Sequence, residues 1–157
     1  MRILLAVALL VPSLAAAQTP KSDRDAVVAA VQGFFDSMAT RDAELAKRFL
    51  LLEGRFVIVS EKDGATIVRT RSIQEWVDGL ATGKGRLLER MWNPEVRVQG
   101  ALATLWTPYD FHIDGKFSHC GIDAFELVKT ADGWKISGAA YTVERTNCTA
   151  SPLGPPK

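Results

Sequence analysis

The chain has little cysteine, little histidine and no excess of either charge. Two Cys and two His in 157 residues lack the number and spacing of a zinc-finger site. There are 19 Lys and Arg against 18 Asp and Glu. That balance excludes the basic stripe needed to grip nucleic acid or an anionic membrane. No long run of like charge and no internal repeat occurs. Only one long apolar run is present, and it comes first: "MRILLAVALLVPSLAAAQTP". It has one positive charge, then an apolar stretch, then three alanines, the pattern of a secretory signal peptide. It falls short of the roughly 20 apolar residues of a membrane-spanning helix. The expectation is a signal peptide over 1–17, cut after Ala17, and a secreted or periplasmic protein free of the membrane once it is removed. No Cys lies near the cut, so no lipid anchor is expected.

What remains is one domain with one core, expected over 18–148, and a flexible Pro-rich tail over 149–157. Both cysteines, Cys120 and Cys148, stay with the mature chain. In an oxidising compartment an even pair is more often a disulfide than two free thiols.

Three segments read as helices. In "SDRDAVVAAVQGFFDSMATRD" Ser22 is an N-cap, with Asp23 and Asp25 in the first turn. Val27, Val31, Phe34, Phe35 and Met38 recur at helical spacing. A short helix fits 42–50. In "RSIQEWVDGLATGKG" Ser72 and Glu75 make a capping box. Between the second and third helices, "RFVIVSEKDGATIVRT" is a hairpin around Asp63-Gly64. After Gly85 come "LLERMWNPEVRV", "ALATLWTPYDFHI", "FSHCGIDAFELVK" and "WKISGAAYTVER". They read as strands, broken by turns at Gln99-Gly100, Asp114-Gly115 and Asp132-Gly133. The order predicts an α+β fold with helices on one face of a bent antiparallel sheet.

A two-residue turn at Asp114-Gly115 sets Asp110 opposite His119, Trp106 opposite Asp123 and Thr104 opposite Phe125. Pairing Lys129 with Trp134 sets Ala140 opposite Asp123, Glu144 opposite His119 and Val143 opposite Cys120. One face then carries Leu102, Thr104, Trp106, Asp110, His119, Asp123, Phe125, Leu127, Ile136 and Ala140. Its apolar floor and convergent polar groups suit a small-molecule pocket. The other face, with Ala103, Leu105, Tyr109, Cys120, Ile122, Ala124, Val128, Ala139, Tyr141 and Val143, is apolar and expects a cover. A second subunit is the simplest one. Cys120 sits near the end of the last strand, and a chain turning back there brings Cys148 to it. Such a bond stabilises the fold by about 2–4 kcal/mol.

The helix end "FFDSMATRDAELAKRFL", the block "LWTPYDFHIDGKFSHCGIDAFELVKTADGWKI" and the closing "YTVERTNC" resemble the nuclear transport factor 2-like superfamily. Within it they resemble the exported bacterial branch that carries lumazine-binding and SnoaL-like labels. The resemblance implies a cystatin-like cone: three N-terminal helices wrapped by a strongly curved antiparallel sheet of up to six strands, with an internal cavity. It also implies homodimers through the outer sheet face. Ketosteroid isomerase-like members use an Asp base near the first hairpin, a Tyr on the first helix and an Asp on a late strand. Here the late-strand Asp matches Asp123. The Tyr position falls at Phe34 or Phe35, and the base position at Ser60, beside Glu61. A proton-shuttling isomerase needs both a base and an oxyanion donor, so that reaction is not expected.

Candidate catalytic residues are Asp110 and His119, as a carboxylate–imidazole dyad, with Asp123 as a partly desolvated acid. The plainer alternative is a cross-strand ion pair worth under about 1 kcal/mol. Candidate ligand contacts are Phe35, Trp106, Asp110, His119, Asp123 and Phe125. A metal site from Asp110, His112, His119 and Glu144 is disfavoured because His112 lies nearer the turn, and no cofactor is expected. The leading expectation is a binder of a small apolar or aromatic molecule. The alternatives are a dehydratase, isomerase or cyclase acting without metal, and a protein-interaction module.

Overall fold

Ser22 caps the first helix as its position predicts, its side chain accepting a hydrogen bond from the Asp25 amide. The computed structural model describes residues 22–156. The signal-peptide expectation lies outside the described residues. Helix α1 runs Asp23–Thr40 and buries Val27, Val31, Phe34, Phe35 and Met38. α2 is Ala43–Phe49. α3 is Ile73–Thr82, opened by the expected Ser72/Glu75 capping box. The strands are β1 Leu50–Lys62, β2 Ala65–Ser72, β3 Leu87–Met91, β4 Glu95–Gln99, β5 Leu102–Ile113, β6 Lys116–Thr130 and β7 Gly133–Val143.

The fold is α+β, with a curved, unclosed sheet in the order β2-β1-β7-β6-β5-β3, and β4 also paired to β5. It has seven strands rather than six. The run "LLERMWNPEVRV" is broken by Asn93, which adopts a positive φ of 49°, and by Pro94, which has no N–H to give a ladder. β3 and β4 then pair with separate halves of β5. One pairing is parallel, β1 with β7. The Asp63-Gly64 and Asp114-Gly115 turns both have positive φ at each residue, as tight hairpin turns require.

The core lies between the helices and one face of the sheet. Phe34 is its centre, with ring centroids 5.0 Å from Trp76, 5.9 Å from Phe56 and 6.2 Å from Phe125.

Both long hairpins depart from the expected register by one residue, for the same reason. β5 and β6 pair as expected at Ile113–Lys116 and at His112–Phe117, but Phe111 then pairs with His119. Ser118 is the extra residue of a bulge. β6 and β7 pair as expected at Leu127–Ile136, but Glu126 then pairs with Gly138, leaving Ser137 extra. A bulge places two residues of one strand against one of the other and shifts every later partner. On β5 the whole assignment inverts. Ala103, Leu105 and Tyr109 are buried, while Leu102 and Trp106 are 56% and 52% exposed.

Cys120 and Cys148 are joined in a disulfide with Cα atoms 5.9 Å apart. Cys120 pairs with Glu144 rather than Val143, again one residue later than expected. The tail beyond the bond is held at one point, where the Arg90 guanidinium donates to the Gly154 carbonyl at 2.9 Å.

Candidate functional site

A cavity of about 230 Å³ opens between α1, α3 and the inner face of the sheet. Phe34 and Met38 from α1, Trp76 from α3 and Phe56 from β1 form one wall. The strands supply Leu87 and Glu89 (β3), Tyr109 and Phe111 (β5), His119, Asp123 and Phe125 (β6), and Ala139 and Tyr141 (β7). Most of this lining is aromatic or aliphatic, so the few polar groups in it set orientation and selectivity.

Alternation along the strands explains which side chains arrive. On β6, His119, Asp123 and Phe125 are separated by even steps and share a face. On β3, Leu87 and Glu89 do the same, while Arg90 turns outward. Asp123 is 2% exposed. Glu89 is half-buried as a whole residue, and burial weighs most on its carboxyl end.

These two carboxyl groups are neighbours on the cavity lining, close enough for each to act on the other's proton affinity. Two buried carboxyl groups side by side resist ionising together, which favours keeping a proton on the pair. Burial is the main cause that drives the Glu89 carboxyl well above the usual range, followed by the charge of Asp123 beside it. Burial also pushes Asp123 up to about 7, partly offset by Glu89 beside it. Asp123 Oδ2 is buried and has no hydrogen-bond partner among the described residues.

The remaining polar groups are neutral. Burial, and then the nearby Arg145 charge, lower His119 to about 4. Its imidazole is therefore uncharged at neutral pH. It lies against Phe111 with ring centroids 4.8 Å apart, and Ser118 Oγ is 3.0 Å from Nδ1. Burial pushes the Tyr141 hydroxyl up to about 12, with Glu89 and Asp123 adding to the effect. The Tyr109 hydroxyl is also raised, first by burial, and donates to the Thr142 carbonyl at 2.7 Å.

Of the expected site residues, His119, Asp123 and Phe125 meet in the cavity. Asp110 does not. It pairs with Cys120 and faces the other side of the sheet, so the Asp110–His119 dyad does not form. Asp110 instead accepts two hydrogen bonds from Arg90, at 2.8 and 2.6 Å, and lies 3.3 Å from His112 Nε2. Trp106 is also on the outer face, beside a groove lined by Arg55, Glu95 and Arg97. Phe35 is buried in the core against Phe125, at 6.0 Å between ring centroids, and Phe34 takes its place at the cavity. Ser60 and Glu61, at the isomerase base position, lie in a separate polar cleft with Glu144 and Arg145. Among the described residues, no group of three or more His, Cys, Asp or Glu side chains is arranged to hold a metal ion.

Sequence reasoning missed Glu89, Tyr109 and Tyr141. Glu89 had a signal: it sits between Leu87 and Met91 at the even positions of a strand, an acid in an apolar series. Tyr109 and Tyr141 were assigned to the opposite face by the register.

Three helices on a curved, unclosed sheet with a cavity between them make the cone fold of the nuclear transport factor 2-like proteins. Solved structures agree. A superfamily protein from Salmonella enterica serovar Typhimurium superposes with a TM-score of 0.62 at 15% identity, covering 82% of this chain and 96% of that one. One from Cytophaga hutchinsonii gives 0.64 at 12% identity, covering 78% and 99%. A protein from Streptomyces avermitilis described as a putative dehydratase gives 0.59 at 16%, covering 77% and 95%. At these identities the likeness is one of fold. Residues 22–142 match the family described as "Putative lumazine-binding", and the chain belongs to it. No curated protein matches the chain.

Proposed function

We propose that this protein binds a small, largely aromatic or apolar molecule in the cavity between the helices and the sheet. The observation that carries this reading is the Glu89–Asp123 carboxyl pair, with Asp123 Oδ2 buried and unpartnered, in a largely apolar, ring-lined space. A buried carboxyl pair with an unfilled acceptor is costly to keep, and a ligand that bonds to it offsets that cost. The volume equals roughly eight waters at about 30 Å³ each, which fits a molecule of one or two rings.

Native mass spectrometry of the protein purified from its source tests the reading. A retained small molecule, absent from Asp123→Asn, is the expected result. An empty protein in both samples counts against a tight binder.

A second reading rests on Asp123 alone. A carboxyl group titrating near 7 suits general acid–base work at neutral pH, so a lyase- or isomerase-type reaction on the bound molecule is the alternative. Asp110 is removed from that scheme by its place on the outer face. Export is proposed on the leader-like first residues and the Cys120–Cys148 bond, which is compatible with an extracellular location. No helix among the described residues is long and apolar enough to cross a membrane. A homodimer through the outer face is proposed on the exposure of Leu102 and Trp106. Light scattering on Trp106→Glu tests it, with a shift to monomer expected.

A further inference from the structure

We infer that the cavity selects a cationic ligand, a protonated amine or amidine-type nitrogen compound, over neutral and anionic molecules of the same shape. The inference rests on the small-molecule reading above and deepens it by assigning the charge of the ligand.

Three features of the cavity point the same way. First, its only acids, Glu89 and Asp123, stand together, and no Lys or Arg is among its lining residues. An anion entering there meets no counter-charge. Second, the walls carry the rings of Phe34, Phe56, Trp76, Phe111 and Phe125. Ring faces attract cations, most strongly where water is excluded. Third, Asp123 Oδ2 is buried and has no hydrogen-bond partner among the described residues. Acceptors that lack donors call for an N–H group, and a cationic N–H bonds to a carboxylate about twice as strongly as a neutral one.

The other groups facing the pair do not change its sign. Tyr109 on β5 and Tyr141 on β7 stay protonated, because burial raises both hydroxyls. His119 on β6 stays neutral, because burial lowers it to about 4. α1, α3 and β1 present only Phe34, Met38, Trp76 and Phe56. From outside the cavity, Asp110 adds negative charge near Glu89, while Arg145 acts on His119 and Arg71 on Tyr141, each less than burial does.

Proton linkage follows. A cation favours the ionised form of Asp123, which titrates at about 7 when the site is empty. Binding below that value must therefore expel a proton, and affinity must rise with pH until Asp123 is already ionised.

The test uses three planar molecules of one shape and different charge: benzamidine (+), benzamide (neutral) and benzoate (−). Each is titrated into the purified protein by calorimetry. Benzamidine is expected to bind at least about tenfold more tightly than the other two. Repeating the titration in buffers of different ionisation heat is expected to show proton release at about pH 6 and little at about pH 8. Asp123→Asn is expected to bring benzamidine within about threefold of benzamide. The charge series on the unaltered protein stands even if that variant does not fold. Equal or tighter binding of benzamide or benzoate overturns the charge inference and leaves the cavity reading intact. Binding of none of the three at millimolar concentration overturns both.

Discussion

Glu89 on β3 and Asp123 on β6 are separated by the whole of β5, yet both line one cavity and their carboxyl groups act on each other's proton affinity. They meet because the sheet is curved and both project from its inner face.

That pair makes stability depend on pH in a defined direction. Asp123 binds its proton more tightly folded than unfolded, at about 7 against 3.8. Its favourable contribution is complete below the unfolded value and is lost as pH rises from about 4 through about 7. Asp123→Asn removes the ionisable group. The variant should melt higher than the parent at about pH 8, by an amount equivalent to more than about 1 kcal/mol, and show little difference near pH 4. Scanning calorimetry across that range checks it. A variant uniformly less stable at every pH would sink the idea.

His119 carries the opposite sign. It is lowered to about 4 from 6.5, so the unfolded chain binds its proton first. The stability that neutral His119 contributes is present above the unfolded value and is lost as pH falls from about 6.5 toward 4. Its C2 proton resonance should titrate near 4, not near 6.5. A two-dimensional NMR titration reads this directly, with the His119→Gln variant assigning the signal against His112.

The Cys120–Cys148 bond closes a segment of 28 residues. Chain-entropy reasoning gives it about 3–4 kcal/mol for that loop length. A Cys120→Ala/Cys148→Ala double variant should lower the urea midpoint by that equivalent. Far-ultraviolet circular dichroism should stay unchanged, because the bond fastens the C-terminus to β6 rather than building the core.

On the outer face, Arg90 holds Asp110 with two hydrogen bonds, and the pair is 15% and 8% exposed. Arg90→Ala leaves Asp110 as a buried charge without its partner and should cost about 3–5 kcal/mol. Arg90→Met with Asp110→Asn leaves no unpaired charge and should cost less than Arg90→Ala alone. Urea unfolding of the two variants decides this. If the double variant loses more than the single, Asp110 has a second partner.

Local chemistry was enough for the helices, the hairpin turns and the composition of β6. Ser22 and the Ser72/Glu75 box mark helix starts by satisfying free amides, and Asp-Gly pairs mark turns by tolerating positive φ. Those effects reach only a few residues. His119, Asp123 and Phe125 share a face because side chains alternate along one strand, whatever its neighbours do. Which residues of β5 and β7 join them depends on pairing between strands, and single extra residues at Ser118 and Ser137 shifted that pairing. A serine inside a strand does not announce a bulge, and Gly138 beside Ser137 was the one weak local sign. The sequence by itself therefore determined the elements, apart from the split of β3 from β4, together with the disulfide partners and the inward face of β6. Only the tertiary structure decided that Asp110 and Trp106 turn outward and that Glu89 meets Asp123. Both outcomes come from register and sheet curvature, which arise when the sheet closes over the helices.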